Sequence, residues 1–439
     1  MQPEDLLAHE LVQSRAEGAD VTSVTAAWAA AGGSTTPSAG GASDDPRLRD
    51  VARGLLDELD RLGTTHRRQH PSADEPDAWD DIVAQWPAPP ALPQSATLDR
   101  VHGAWLGRAA GCLLGKPVEK IPRRGVEEIA RATGNWPITG YFTEVGLPAD
   151  VAARWPWNRR SRPTSLAENI DGMPEDDDLN FAMLGLSLVE QHGADLTTDD
   201  VAGAWLANLP AGRVFTAERA AYRNLLNAVL VERVAEVWNP FREWIGALIR
   251  TDAYGWTHPG DPATAARVAY ADAWLSHRRN GIYGAMFVAA MSAAAVVCDD
   301  VGTVLECGLA VVPSRSRLAE AVHVGVGLAD RPLGRALDEL HGAYGDLHWV
   351  HVLNNAALIA YALASSRGDF STAIAAAVTG GWDTDSAGAT VGAICGAMCG
   401  AQALPEHWTK PLHNRIASSL PGFDGIAIDE LARRTLALT

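Results

Sequence analysis

Two short runs carry most of the chemistry this sequence can do. Residues 175–178 read Glu-Asp-Asp-Asp and lead straight into the apolar stretch LNFAMLGLSL; residues 383–386 read Asp-Thr-Asp-Ser and precede ATVGAICGAMCG after one Ala-Gly step. Each knot sits where a loop gives way to a long apolar helix. One or two acids at such a place cap free backbone N–H groups and suit the positive end of the helix dipole. Four consecutive carboxylates exceed that need, and each surplus charge at the edge of a core costs desolvation and repulsion. A divalent cation removes the cost, because Mg²⁺ and Ca²⁺ take oxygen ligands from carboxylates, hydroxyls and water. No His/Cys grouping competes, which disfavours zinc. The residues alone leave two readings open. One is a metal site shared by both knots, with acids enough for two ions and for two-metal hydrolysis. The other is a pair of solvated helix caps.

The elements that must position these acids are marked by glycine. Gly103, Gly107, Gly111 and Gly115 fall at intervals of four in HGAWLGRAAGCLLGKP, and Gly388, Gly392, Gly396 and Gly400 do the same after the second knot. Glycine costs roughly 1 kcal/mol relative to Ala at a helix interior position. Four on one face imply a compensating close approach of backbones. Two buried central helices are therefore expected, packed on each other or on equally tight neighbours.

From Thr97 onward the pattern is helical almost throughout, so the expected class is all-α, with irregular loops near 134–174 and 251–262. Before that, Asp45 can cap a helix that Pro46 opens, with Leu48, Val51, Leu55, Leu59 and Leu62 on one face and Gly63 as its stop. A short amphipathic helix precedes the Gly/Ser-rich stretch 31–44, which reads as a flexible linker. Residues 1–95 thus form a helical extension, and 96–439 the main domain.

The chain has 439 residues, 47% of them hydrophobic, enough for a large core. Its formal net charge of −18 argues against nonspecific binding to nucleic acid or anionic membranes. The five cysteines are an odd number in apolar settings without CxxC pairs, which argues against a disulfide framework or a zinc site, and Cys395 and Cys399, four apart, read as small core residues on one helical face. No signal-peptide pattern opens the sequence and no apolar stretch spans a bilayer comfortably, so a soluble cytoplasmic protein is expected. The tryptophans read as packing residues. Arg159, Arg160 and Arg162 read as a solvated loop with phosphate binding as the alternative.

GRAAGCLLGKPVE, PEDDDLNFAML, NGIYGAMFVAAM and GGWDTDSAGATVGA occur in the order seen in the ADP-ribosylglycohydrolase family, which this sequence resembles over residues 97–439. The resemblance implies a compact orthogonal bundle of helices. It implies a dinuclear Mg²⁺ site, with Mn²⁺ as the alternative, and hydrolysis of the bond joining C1″ of ADP-ribose to an acceptor. Carried over by residue, Asp176, Asp177, Asp383, Asp385 and Ser386 hold the metals, and Glu175 takes the place of a Thr ligand. Glu119, closing GKPVE, matches a glutamate near the reacting ribose. Asn280, Gly281, Ile282, Tyr283 and Gly284 match a loop that wraps ribose and diphosphate, with Tyr283 or Phe287 a possible stacking partner for adenine.

Three departures stand out. Both threonines of the first motif are acids here, Cys112 stands where an Asp is common, and Phe287 where an Arg is common.

Ribosyl hydrolysis needs a positioned sugar, an activated water and a proton for the leaving group. Asp177 is the expected general acid/base and Glu119 the alternative near the scissile bond. His351, spaced by three from His348 around Trp349, is a candidate cleft residue. The partner is an ADP-ribosylated protein or a ribosyl small molecule. Two other functions fit the same residues: a ribosyl hydrolase for a nucleoside-like metabolite, or a metal-binding structural protein without catalysis.

Overall fold

The computed structural model describes residues 2–37, 45–70, 72–87 and 89–439. The all-α expectation holds. Among the described residues the only strand pairing is a two-residue ladder, Arg415–Ile416 against Ile426–Ala427, apart from isolated bridges.

The glycine helices are real and they pair. Helix α4 spans Leu98–Gly115 and helix α9 spans Thr384–Cys399; the labels α1 to α9 are given in chain order to the helices used below. A Cβ added at Gly103 would run into the Gly396 carbonyl, one at Gly107 into Gly392, one at Gly111 into Gly388 and one at Gly115 into Thr384. Rising residue numbers on one helix meet falling numbers on the other, so the two run antiparallel with backbones in contact. This contact offsets the propensity cost of the glycines. It also sets the C-terminal end of α4 beside the N-terminal end of α9, and the Thr384 hydroxyl donates to the Gly115 carbonyl at 2.9 Å.

Around this pair lie α5 (Asp177–His192), α7 (Asn280–Ala295) and α8 (Val352–Ser366), and α6 (Thr198–Asn208) packs on α5. Every residue of α7 is buried, as expected of a helix that is apolar all round.

The first 95 residues form α1 (Pro3–Ala16), α2 (Thr22–Ala30), α3 (Pro46–Gln69) and a short helix Trp79–Val83. Residues 38–44 of the expected linker lie outside the described residues. Asp45 caps α3 by accepting from the Arg47 N–H at 2.9 Å. Gly63 does not end α3, which continues to Gln69. The extra turns place Arg67 against Glu17 at 3.3 Å and Glu236 at 3.2 Å, and basic residues suit a helix C-terminus. Val51, assigned to the apolar face, is 39% exposed.

This segment is tied to the rest of the chain by buried ion pairs. Arg242 holds Glu10 at 3.0 Å and Glu17 at 2.6 Å, and Glu75 pairs with Arg317 at 2.9 Å and with Arg279. The expected loop at 134–174 contains two short helices, Ala149–Arg154 and Arg162–Ser165. The loop expected at 251–262 is instead partly helical: Asp252–Trp256 is a buried turn, held because Asp252 pairs with the buried Arg108.

Candidate active site

Three chain segments converge where α4 ends and α9 begins. The residues after Gly115 form a short 3₁₀ turn, Lys116–Val118, which delivers Glu119. Asp176 is the N-cap of α5 and accepts from the Asp178 N–H at 2.9 Å, so the capping reading is correct for this one acid. Asp383 occupies the N-cap position of α9 but makes no side-chain cap bond. Its backbone N–H donates to Asn355 Oδ1 at 3.2 Å, which ties the knot to the start of α8. Its carboxyl lies close enough to that of Asp385 for the Asp385 charge to raise it.

The charges feel one another strongly. Burial raises the Asp177 carboxyl well above the usual range, and the charges of Asp176 and Asp385 add to the effect. Burial likewise raises Asp385, with Asp176 next in effect, and it raises Asp383, with Asp385 next. Asp177 is the half-exposed member of the Asp triplet, while Asp176 and Asp178 are buried. Asp383, Asp385 and Ser386 are also buried.

Two cations inside the cluster have no counterpart in the sequence reading. Lys116 is buried; its ammonium pairs with Asp176 and donates to the Glu175 carbonyl at 3.2 Å. Although burial pushes Asp176 up, Lys116 holds it below the usual carboxylate range. Arg108 is fully buried, pairs with Asp252, and donates to the Asp178 carbonyl at 3.0 and 2.8 Å. Their only sequence signal is a basic residue directly after a glycine of the first helix.

Cys112 Sγ and carboxylate oxygens of Asp176 and Asp178 lie within 4.8 Å of one another. That trio is a poor ligand set by itself. Burial and the adjacent acids raise the Cys112 thiol well above its usual range, and a thiol must ionise to bind a metal. Arg108 already balances Asp178. The donors that do suit a cation are the oxygens of Asp176, Asp177, Asp383 and Asp385, which are hard ligands for Mg²⁺ or Mn²⁺.

Glu175 turns aside: its carboxylate pairs with Arg213 at 2.8 Å and accepts from Asn180 at 3.3 Å. Glu119 faces a cleft of about 320 Å³, lined also by Lys120, Trp155, Trp157, Asn158 and Arg159. It pairs with Lys120 at 3.3 Å and accepts from the Asn158 amide. Burial, then the Asp385 charge, raises its carboxyl to about 7.

The 280–284 segment lies elsewhere. It opens α7 and is fully buried. The Asn280 side chain donates to Glu243 at 2.7 Å and accepts from the Leu318 N–H at 2.9 Å. A Cβ at Gly281 would strike the Arg242 carbonyl, and one at Gly284 would lie 2.6 Å from Val352. Ile282 is buried and the Tyr283 hydroxyl donates to the Pro76 carbonyl. His351 caps α8, accepting from the Leu353 N–H at 3.2 Å. The 280–284 segment packs under the N-terminal segment, whereas His351 reaches the acid cluster through Asn355, which donates to the His351 carbonyl at 2.8 Å and accepts from the Asp383 N–H.

Residues 93–439 match the sequence profile of the ADP-ribosylglycohydrolase family. The chain belongs to that family. An ADP-ribosylglycohydrolase is a glycoside hydrolase, so the protein is an enzyme of that kind, from a typically metal-dependent family. A solved structure described as an "ADP-ribosylglycohydrolase-related protein complex" is similar at 22% identity, covering 78% of this chain and 97% of that one, with a TM-score of 0.42. No curated protein sequence matches. Among the described residues no helix is long and apolar enough to cross a membrane.

Proposed function

We propose that this ADP-ribosylglycohydrolase cleaves the C1″ glycosidic bond of an ADP-ribosyl or related ribosyl conjugate with Mg²⁺ bound at the acid cluster. One observation carries the reading. Acids from two distant motifs meet at the junction of α4 and α9, and a glutamate whose proton is held to about pH 7 lies at the edge of that junction.

Asp176, Asp177, Asp383, Asp385 and Ser386 would hold the ions, two of them by the family pattern. Glu175 joins only if it leaves Arg213. Bound there, the metal supplies a grip on ribose hydroxyls and a water of lowered pKa. The protein's own groups do the rest. Lys116 and Arg108 fix Asp176 and Asp178, so the first turn of α5 presents Asp177 outward. Asp177, ionised once a cation balances the neighbouring acids, would take the proton from the attacking water. Glu119, with its carboxyl raised to about 7 and so partly protonated at neutral pH, would give its proton to the departing acceptor atom as the C1″ bond breaks. Residues 96–439 form the catalytic part and residues 1–95 an extension to it.

The test is a mass-spectrometric panel of ADP-ribosylated arginine and serine peptides, O-acetyl-ADP-ribose and simple ribosides. Release of ADP-ribose supports the proposal and names the linkage. Release of ribose from simple ribosides alone would move the function to nucleoside-like metabolites. Release from none would leave a metal-binding protein without catalysis.

A further inference from the structure

Residues 3–83 precede the family match, yet α1 brings a ring to one end of an aromatic cluster whose other end meets Lys120. The His9 ring lies 5.2 Å from Phe241, 5.7 Å from Trp244 and 6.0 Å from His348, centroid to centroid, all at steep angles. Trp244 stacks flat on His348 at 4.2 Å and 14°. Trp349 follows, 5.6 Å from His348, and the Lys120 ammonium sits 5.6 Å over the Trp349 ring. Lys120 in turn pairs with Glu119. A continuous path of rings therefore runs from α1 to the proposed proton donor. Asn355 anchors it to the acid cluster as well, donating to the Trp349 carbonyl at 2.9 Å while accepting from the Asp383 N–H.

The placement of His9 is rigid. Glu10 on the same helix and Glu17 at its C-cap clamp Arg242, and Gln13 donates to Glu243 at 2.9 Å, all buried or nearly so. His9, His348 and Trp349 themselves are half-buried, so their rings keep exposed surface. Burial, followed by the His9 and His351 charges, depresses His348 to about 4, which leaves it a neutral ring at physiological pH. The neutral His348 imidazole and the Trp349 indole, with a lysine beside them, suit a planar heterocycle that carries a phosphate.

We propose that His9 is a specificity-determining residue: with His348 and Trp349 it forms a rim that receives the nucleobase of a ribosyl substrate. The proposal rests on the hydrolase reading for the identity of the substrate, but its test does not require turnover.

Wild type, His9→Ala and His9→Phe are titrated with ADP-ribose and, separately, with ribose 5-phosphate, which lacks the base. His9→Ala is expected to weaken ADP-ribose binding by about threefold to tenfold, the range of one aromatic contact, and to leave ribose 5-phosphate binding as it was. His9→Phe should restore most of the loss. A purely structural His9 would lower the melting temperature and shift both ligands together, or neither, and either pattern overturns the proposal. So does a wild type that does not bind ADP-ribose. Base-selective loss in a protein that hydrolyses nothing on the substrate panel would uphold the rim and reject the hydrolase reading.

Discussion

Replacing one glycine of the α4–α9 seam should destabilise the protein, although the same change elsewhere should stabilise it. Gly107→Ala and Gly203→Ala make the comparison. Gly203 lies inside α6, is exposed, and has nothing within 4 Å of an added Cβ. There the substitution gains the helix propensity of alanine, about 1 kcal/mol. At Gly107 the same methyl runs into the Gly392 carbonyl, with the Gly396 Cα 3.2 Å away. Both obstacles are backbone, so no side chain can rotate aside. Forcing one carbon into a packed core costs about 1–3 kcal/mol, which cancels the propensity gain and exceeds it. The two variants should differ by about 1–3 kcal/mol, the overpacking cost itself, with Gly203→Ala above wild type and Gly107→Ala below it. Urea unfolding reads this as midpoints moving apart at unchanged slope. If Gly107→Ala rose in stability alongside Gly203→Ala, the glycines would not be there for backbone contact, and the positioning of both acid knots would need another cause.

Further consequences concern the charges. Removing Lys116 (Lys116→Met) leaves Asp176 buried without its cation; with chelator present the loss should be about 3–5 kcal/mol, and Mg²⁺ should restore more stability to this variant than to wild type in parallel melts. Equal response to Mg²⁺ would separate Asp176 from the metal. Glu119→Gln should cut turnover by about 10²–10⁴-fold with Mg²⁺ affinity kept, checked by kinetics and calorimetry on the same preparation. Glu17 is held at about 2: burial opposes this, but Arg242 outweighs it. A depressed carboxylate contributes stability above its unfolded value of 4.5 and loses it as pH falls toward 2, here about 3 kcal/mol. The stability gap between wild type and Glu17→Gln should therefore shrink between pH 5 and pH 2, and a constant gap would contradict the assignment.

Much of the centre was legible because its signals are local. Glycines at intervals of four announced a backbone seam, and acids directly before apolar helices announced where the seam's ends lie. The partner of each glycine helix was legible only as a possibility, since spacing marks a face and not what it meets. The inner cations were not legible. Lys116 and Arg108 matter through Asp176 and Asp252, the latter 144 positions away from Arg108, and no periodicity encodes that pairing. The same holds for the extension. Its helices were visible in Leu55 and Leu59, but their anchorage by Arg242 joins residues more than 220 apart. Gly63 misled because a buried glycine inside a packed helix and a glycine at its stop look alike in sequence. Asn280–Gly284 interrupt an apolar pattern as a ligand loop would; here the polar side chain caps buried neighbours and the glycines admit adjacent backbone and side chains.

The central claim is that the acids of residues 176–177 and 383–385 act as one metal-holding hydrolytic centre. Titration of Mg²⁺ into chelator-stripped protein, with release of ADP-ribose followed in the same samples, tests it most directly when wild type, Asp177→Asn and Asp383→Ala are run together. The account predicts that binding and release rise over the same Mg²⁺ range in wild type, and that the single change on α9 and the single change on α5 each weaken binding and abolish release. Full release in chelator, or Asp177→Asn with wild-type affinity and wild-type turnover, would contradict it.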